Sequence, residues 1–267
     1  MVEYDIRELS QPDELKDVIK LQAIVGGLPP EDTMSPITLT ALSMDRARTG
    51  WLLGAYHEQK MISFIISLAT VEADAAYGHM LGVLPEYRDG SVGLQMLQRN
   101  YELFRRDGIS RCYTTYEPLE SRNAYIYLNK LGGRGVAYKK AHYYIDSGLH
   151  QGMPQDRFLV EMDVGYDLNQ ARESMSLTEV LARYPIATPE EMPDAQNVLV
   201  EIPAAIHPLQ DKDPDLALAW RMKTRMVFEE YLDNRGLVAE EFLSDVIDGK
   251  RRSFYLLSRN YSGENLW

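Results

Sequence analysis

The chain has 267 residues, 45% of them hydrophobic, with 28 Lys and Arg against 40 Asp and Glu for a formal net charge of −12. That length makes one large domain or two small ones with a substantial core. So acidic a surface repels nucleic acid and anionic membranes, which excludes both as primary partners. A bound anion then needs a local pocket of cations or amides.

YDIREL opens the chain as a short strand. SQPDELKDVIKLQAIVG reads as a helix: Ser10 as cap, Pro12 and acids in the first turn, apolar Leu15, Val18, Ile19 and Leu21, and a Gly26-Gly27 stop. LPPEDTMSP is a loop and ITLTALSMDRART a second helix. GWLLGAYHEQKMISFIISLATV is a hairpin turning at His57-Glu58-Gln59, and AAYGHMLGVL a further strand. SVGLQMLQRNYELFRRDG is an amphipathic helix that buries Val92, Leu94, Leu97, Tyr101 and Phe104 and stops at Gly108. ISRCYTTYEP is rich in strand formers, LESRNAYIYLNKLGG is helical, and GVAYKKAHYYID and DRFLVEMDV are strands. The order β-α-α-β-β-β-α-β-α-β-β is a mixed α/β pattern, without the regular alternation of a doubly wound sheet.

Composition shifts near residue 165, which divides the chain into a domain over 1–165 and an extension over 166–267. In the extension, DLNQARESMSLTEVLARY reads as helix, NVLVEIP as strand, DPDLALAWRMKTRMVFEEYLDNRG as a long helix with Leu216, Trp220, Lys223, Val227 and Tyr231 near one side, and SFYLL as a last strand. Arg221 and Arg225, one turn apart, read as a solvated face or an interdomain contact. No sequence repeat is visible.

The only cysteine, Cys112, excludes an intramolecular disulfide and makes the reducing cytoplasm the expected compartment. Its setting, SRCYTTY, is a strand interior with no histidine beside it, which suits a buried thiol rather than a reactive one. The N-terminus is charged from its third residue, unlike a secretory leader. Apolar runs such as MISFIISLA fall far short of the ~20 residues needed to cross a bilayer.

The stretch with chemistry in it is GVLPEYRDGSVG, Gly82 to Gly93. It lacks the GxxxxGK[ST] and GxGxxG phosphate loops, which argues against a nucleotide-binding protein. It still joins a strand to a helix through proline, arginine and two glycines. A helix N-terminus offers unpaired amides and a positive dipole end, glycine permits close backbone approach, and Arg88 adds a charged donor.

This segment resembles the cofactor loop of the GNAT N-acyltransferases, in which a strand ending in valine is followed by PEYR and then Q/R-x-x-G-x-G/A at a helix start. Arg88 and Gly93 match the ends of that pattern, Ser91 replaces its middle glycine, and Gly90 sits one residue early. SRNAYIYLNKLGG is similar to the family's N-x-x-A-x-x-L-Y-x-K-x-G-F, with Ala124, Lys130 and Gly132 in register. Ser121 and Leu128 hold the usual asparagine and tyrosine positions, with Asn123 and Tyr127 nearby. The likeness runs through most of the chain and is nearest to a GNAT subgroup with a C-terminal extension.

The resemblance implies a mostly antiparallel mixed sheet flanked by helices, with a C-terminal α/β extension. It implies acyl-CoA as co-substrate, acetyl by default or another acyl group such as succinyl, and no metal. It implies transfer to a small amine or amino acid, or, as an alternative, a non-catalytic acyl-CoA sensor or scaffold. A homodimer stays open. Main-chain groups of Leu81 and Val83 would pair with the pantetheine arm. Arg88, Asp89, Gly90, Ser91, Val92 and Gly93 would hold the diphosphate, with Asn123 and Tyr127 as further CoA contacts. His79, sharing a strand face with Tyr77, Leu81 and Val83 by alternation, is the candidate base. Glu117 is a second candidate carboxylate, and Tyr144, beside Tyr143, a candidate phenol for the leaving thiolate.

Overall fold

The computed structural model describes residues 4–44, 48–88, 90–143, 152–168 and 174–259. The chain forms two compact units. Among the described residues, the first holds everything up to Thr114 with Gly152 and Asp163–Gly165, and the second holds the remainder. The units therefore cut the chain differently from a division at residue 165, because Thr115 to Tyr143 and Met153–Met162 lie with the C-terminal part.

In the first unit, β1 (Asp5–Glu8), β2 (Gly50–His57), β3 (Lys60–Ala69), β4 (Ala75–Val83) and β5 (Arg111–Tyr116) lie side by side in that order. All the pairings are antiparallel except β4 with β5. The run from Met61 to Ser67 is buried throughout because helices cover both faces of the strand, which is why MISFIIS does not alternate. Each such Ile or Phe contributes about 1.5–3 kcal/mol of burial.

One face carries α1 (Pro12–Gly26), whose end approaches Met80. The other carries α3 (Val92–Arg106), where Asn100 Nδ2 donates to Ser67 Oγ at 3.4 Å and Phe104 meets Trp51 edge-on at 5.0 Å. α1 begins at Pro12, with the Glu14 carboxylate accepting from the Ser10 and Gln11 amides, so Ser10 is not its cap. α2 (Pro36–Leu42) is shorter than the sequence suggested, ending at Ser43. In α3 the buried stripe includes Met96 and Asn100, while Leu94 is 40% exposed.

In the second unit the strand order is β7 (Gln155–Asp163), β6 (Arg134–Tyr143), β9 (Val238–Ile247), β10 (Lys250–Ser258), β8 (Asn197–Ile202). Its centre is aromatic. Phe158 meets Phe228 at 4.7 Å and Tyr255 at 5.2 Å, and Tyr138 joins them at 5.8 Å, mostly edge to face. α5 (Leu177–Arg183) packs Leu177 and Val180 against Leu199, Leu243 and Phe254. Of the helix expected over DLNQARESMSLTEVLARY, the described residues form only this short piece; 169–173 lie outside them.

The backbone repeats where the sequence does not. α4 (Ser121–Ala124) and α7 (Pro214–Phe228) each run into a six-residue π-helical turn, Tyr125–Lys130 and Glu229–Asn234. Each turn is followed by a left-handed glycine, Gly132 or Gly236, and then by β6 or β9, which pair antiparallel at Gly135↔Ala239. α6 (Ile206–Lys212) and β9 went unread in the sequence. On α7 the buried residues are Ala217, Arg221, Thr224, Val227 and Phe228, while Leu216 is 45% exposed.

Near α4, His207 Nε2 lies 2.9 Å from Glu120 Oε2. The pair raises the His207 pKa above 6.5 and lowers that of Glu120 below 4.5. A raised histidine contributes fully below its unfolded value and is lost as pH rises through its folded one. The carboxylate contributes above its unfolded value and is lost as pH falls through its folded one. Stability from this pair is therefore greatest between those two unfolded values and fades toward alkaline pH. Urea midpoints across pH 5–9 should show that fade in the native protein and less of it in His207→Gln; equal slopes would contradict the assignment.

Candidate active site

β4 and β3 pair as Ile66↔Met80 and then Ser67↔Gly78, so His79 is an extra residue, a β-bulge. Cross-strand partners share a face. Leu81 and Val83, opposite Ile65 and Ser63, therefore lie on the α3 side with Ser67, and Tyr77, opposite Leu68, lies on the other. His79 goes with Tyr77, ring centroids 6.4 Å apart. The alternation that put His79 and Tyr77 on one face with Leu81 and Val83 is broken by the bulge.

The same register settles where the backbone of β4 points. The Leu84 amide donates to Ile62 O at 3.0 Å. In an antiparallel ladder the hydrogen-bonded residues alternate, so Gly82 and Met80 also bond toward β3, and the N–H and C=O groups of Leu81 and Val83 face the opposite edge. On that edge β4 pairs with β5 in parallel from Ala75↔Arg111 to Gly78↔Thr114, and β4 continues to Val83 beyond that stretch. The bulge and the end of the parallel pairing thus coincide at Gly78-His79.

At the end of β4 the chain makes a single 3-10 turn, Pro85–Tyr87, and enters α3 through Ser91. Ser91 is in a helical conformation and caps no amide; its Oγ accepts from Gln95 Nε2 at 2.7 Å. Among the described residues no side chain caps the first-turn amides of α3, which suits an anion at the dipole end. A Cβ at Gly93 would meet only Val83 Cγ2, at 4.0 Å. Neither Gly90 nor Gly93 has a positive φ. Glycine is therefore not demanded at 93 by backbone conformation or by packing, and its bareness keeps open the space over the helix end.

Arg88 is exposed, and its Nε donates to Val83 O at 3.2 Å. The guanidinium thus occupies the carbonyl assigned to pantetheine, so both expected roles require it to swing off Val83 O. Asp89 lies outside the described residues. His79 is solvent-exposed, yet the protein around it desolvates the charged ring and lowers its pKa below 6.5. Burial pushes the Cys112 thiol up to about 12, as expected of an inert core cysteine.

The other candidates lie in the second unit. Glu117 follows β5, and its Oε1 accepts from Arg221 Nη2 and from the Leu119 amide at 2.9 Å. Its Oε2 faces Arg157 Nη1 at 3.4 Å. With both oxygens facing guanidinium groups, the carboxylate is built as an anchor. Asn123 lies within α4, whose N-cap is Glu120, so it does not cap that helix. Tyr127 stacks on Tyr116 at 5.2 Å. Tyr144 lies outside the described residues.

No family model and no curated protein matches the sequence. Solved structures do. The acetyltransferase of the GNAT family from Streptococcus pneumoniae aligns with a TM-score of 0.50 at 15% identity, over 61% of this chain and 100% of its own. The N-acetyltransferase from Staphylococcus aureus aligns with a TM-score of 0.50 at 10% identity, over 61% and 99%.

This is the GNAT fold. Within the GNAT fold lies a group of buried charges that the sequence motifs missed. Arg221 is fully buried, as is Asp156, which accepts from Arg225 Nη2 at 2.7 Å and Nε at 2.9 Å. Arg221 and Arg225 are therefore no solvated face; they join α7 to residues that precede position 165. The only available signal was their i,i+4 spacing, the same in a buried stripe as in an exposed one. Among the described residues no group of His, Cys, Asp and Glu could hold a metal ion, and no helix is long and apolar enough to cross a membrane.

Proposed function

We propose that the protein transfers an acyl group from acyl-CoA to the nitrogen of a small amine or amino acid. The observation that carries this reading is the coincidence at one strand end of the bulged His79, the outward main-chain groups of Leu81 and Val83, and the start of α3, which Ser91 leaves uncapped, over the bare Gly93. Together they present amides to a diphosphate, a strand edge to an amide-bearing arm, and an imidazole to an amine. Acetyl is the default acyl group, and the GNAT fold supports the reaction class.

The first-turn amides of α3 bind the diphosphate, joined by Arg88 once it leaves Val83 O. The β4 edge orients the pantetheine arm through Leu81 and Val83. His79, neutral at physiological pH because its pKa lies below the ordinary value, accepts a proton from the acceptor's ammonium or from its attacking nitrogen. That nitrogen forms a bond to the thioester carbonyl carbon. The oxygen becomes an oxyanion, to which a backbone amide of the β4 edge donates. The C–S bond breaks, and the thiolate takes a proton as the amide product forms. Cys112, buried and protonated, cannot carry the acyl group, so transfer is direct within a ternary complex.

Thiol release from acetyl-CoA, measured over an amine and amino-acid panel, tests the activity. His79→Ala should reduce turnover by about 10²–10⁴-fold. The native rate should fall on the acid side below pH 6.5, where His79 protonates. An unchanged acid limb in His79→Ala would remove the histidine from the reaction.

A further inference from the structure

One cluster in the second unit holds more positive than negative charge. Three arginines meet there: Arg221, fully buried; Arg157, 7% exposed; and Arg225, partly buried. Their carboxylate partners among the described residues are Glu117 and Asp156. Three cations thus face two anions. Arginine keeps its proton in proteins, so the surplus cannot be relieved by titration, and a buried charge without a counter-ion is costly.

The hydrogen-bond inventory places that surplus. Arg225 is satisfied by Asp156. In Arg221, Nη2 serves Glu117, while Nε and Nη1 are buried and have no hydrogen-bond partner among the described residues; Nη1 comes only to 3.9 Å from Asp156 Oδ2. Arg157 uses Nη1 alone, toward Asp156 O at 2.9 Å and Glu117. Its Nε/Nη2 edge, the side that takes a carboxylate in a two-point fork, makes no bond among the described residues. The guanidinium sits over the Tyr143 ring, 5.1 Å from its centroid. Among the described residues Thr115, Glu117 and Tyr143 are partly exposed, so the cluster reaches solvent on the Arg157 side and is closed at Arg221.

We propose that this cluster is a carboxylate-binding site and that Arg157 contacts the carboxylate. Arg221, behind it, supplies the uncompensated charge and holds Glu117 in place.

Native protein and Arg157→Gln are titrated calorimetrically, without CoA, with acetate, succinate and the common amino acids. Arg157→Lys keeps the charge and removes the fork. Glu117 retains Arg221 in both variants, so both should fold. A carboxylate should bind native protein, and Arg157→Gln should weaken it about 10–100-fold, the range for a charged hydrogen bond. Arg157→Lys should fall between. No carboxylate binding, or equal binding by native protein and Arg157→Gln, would overturn the site.

Discussion

Gly93→Asp should abolish acyl-CoA binding while leaving the protein as stable as before, or slightly more so. The two effects oppose because they act on different things. A Cβ at 93 would meet only Val83 Cγ2, at 4.0 Å, and the position has no positive φ, so the side chain fits the folded chain. Replacing an in-helix glycine stabilises by about 0.5–1 kcal/mol, and a carboxylate in the first turn adds about 0.3–1 kcal/mol through the dipole. The same carboxylate fills the space kept for the diphosphate and repels it. A loss of at least about 10²-fold in affinity is expected, about 3 kcal/mol. Calorimetry with acetyl-CoA and thermal denaturation of the same sample read both sides. Retained affinity would show that the α3 N-terminus is not the anion site; a lower melting temperature would show that Gly93 is needed for the fold.

Arg221→Met should be the most damaging single change in the second unit. It keeps most of the volume and removes the charge from a fully buried position. Glu117 is then left with Arg157, 3.4 Å away, as its remaining guanidinium neighbour. Removing one partner of a buried ion pair costs up to about 3–5 kcal/mol, here because Glu117 loses its closest charged donor and keeps only the longer contact to Arg157. Combining it with Glu117→Gln should restore part of the loss, since contacting residues are not additive. Urea unfolding at neutral pH measures each. A cost under about 1 kcal/mol for Arg221→Met would mean that solvent already reaches the pair.

Which parts of this structure are legible in the sequence follows from how local their causes are. The β2–β3 hairpin is set by its own turn, where Glu58 and Gln59 both take positive φ. α3 and its loop are set by adjacent residues. The β9–β10 hairpin also has a local signal, Asp248-Gly249, both at positive φ, which went unread beside the better-formed SFYLL.

The site was less legible. His79 changes sides because one residue is added opposite β3, and a bulge is decided by pairing between strands, which no single-strand pattern contains. Arg88 rests on Val83 O, a contact that its motif does not encode. Arg221 is buried because Glu117, 104 positions earlier in the chain, folds against it. A one-turn spacing of arginines is identical on a wet face and in such a pair, and only the fold distinguishes them.

The central claim is that the outer edge of β4 and the start of α3 bind acyl-CoA. Calorimetric titration of the native protein with acetyl-CoA, CoA and ATP tests it most directly. One site per chain should bind acetyl-CoA and CoA, with ATP much weaker, because ATP lacks the pantetheine arm that the β4 edge is built to hold. No heat of binding from either CoA compound at millimolar concentration, or equal binding of ATP, would contradict it.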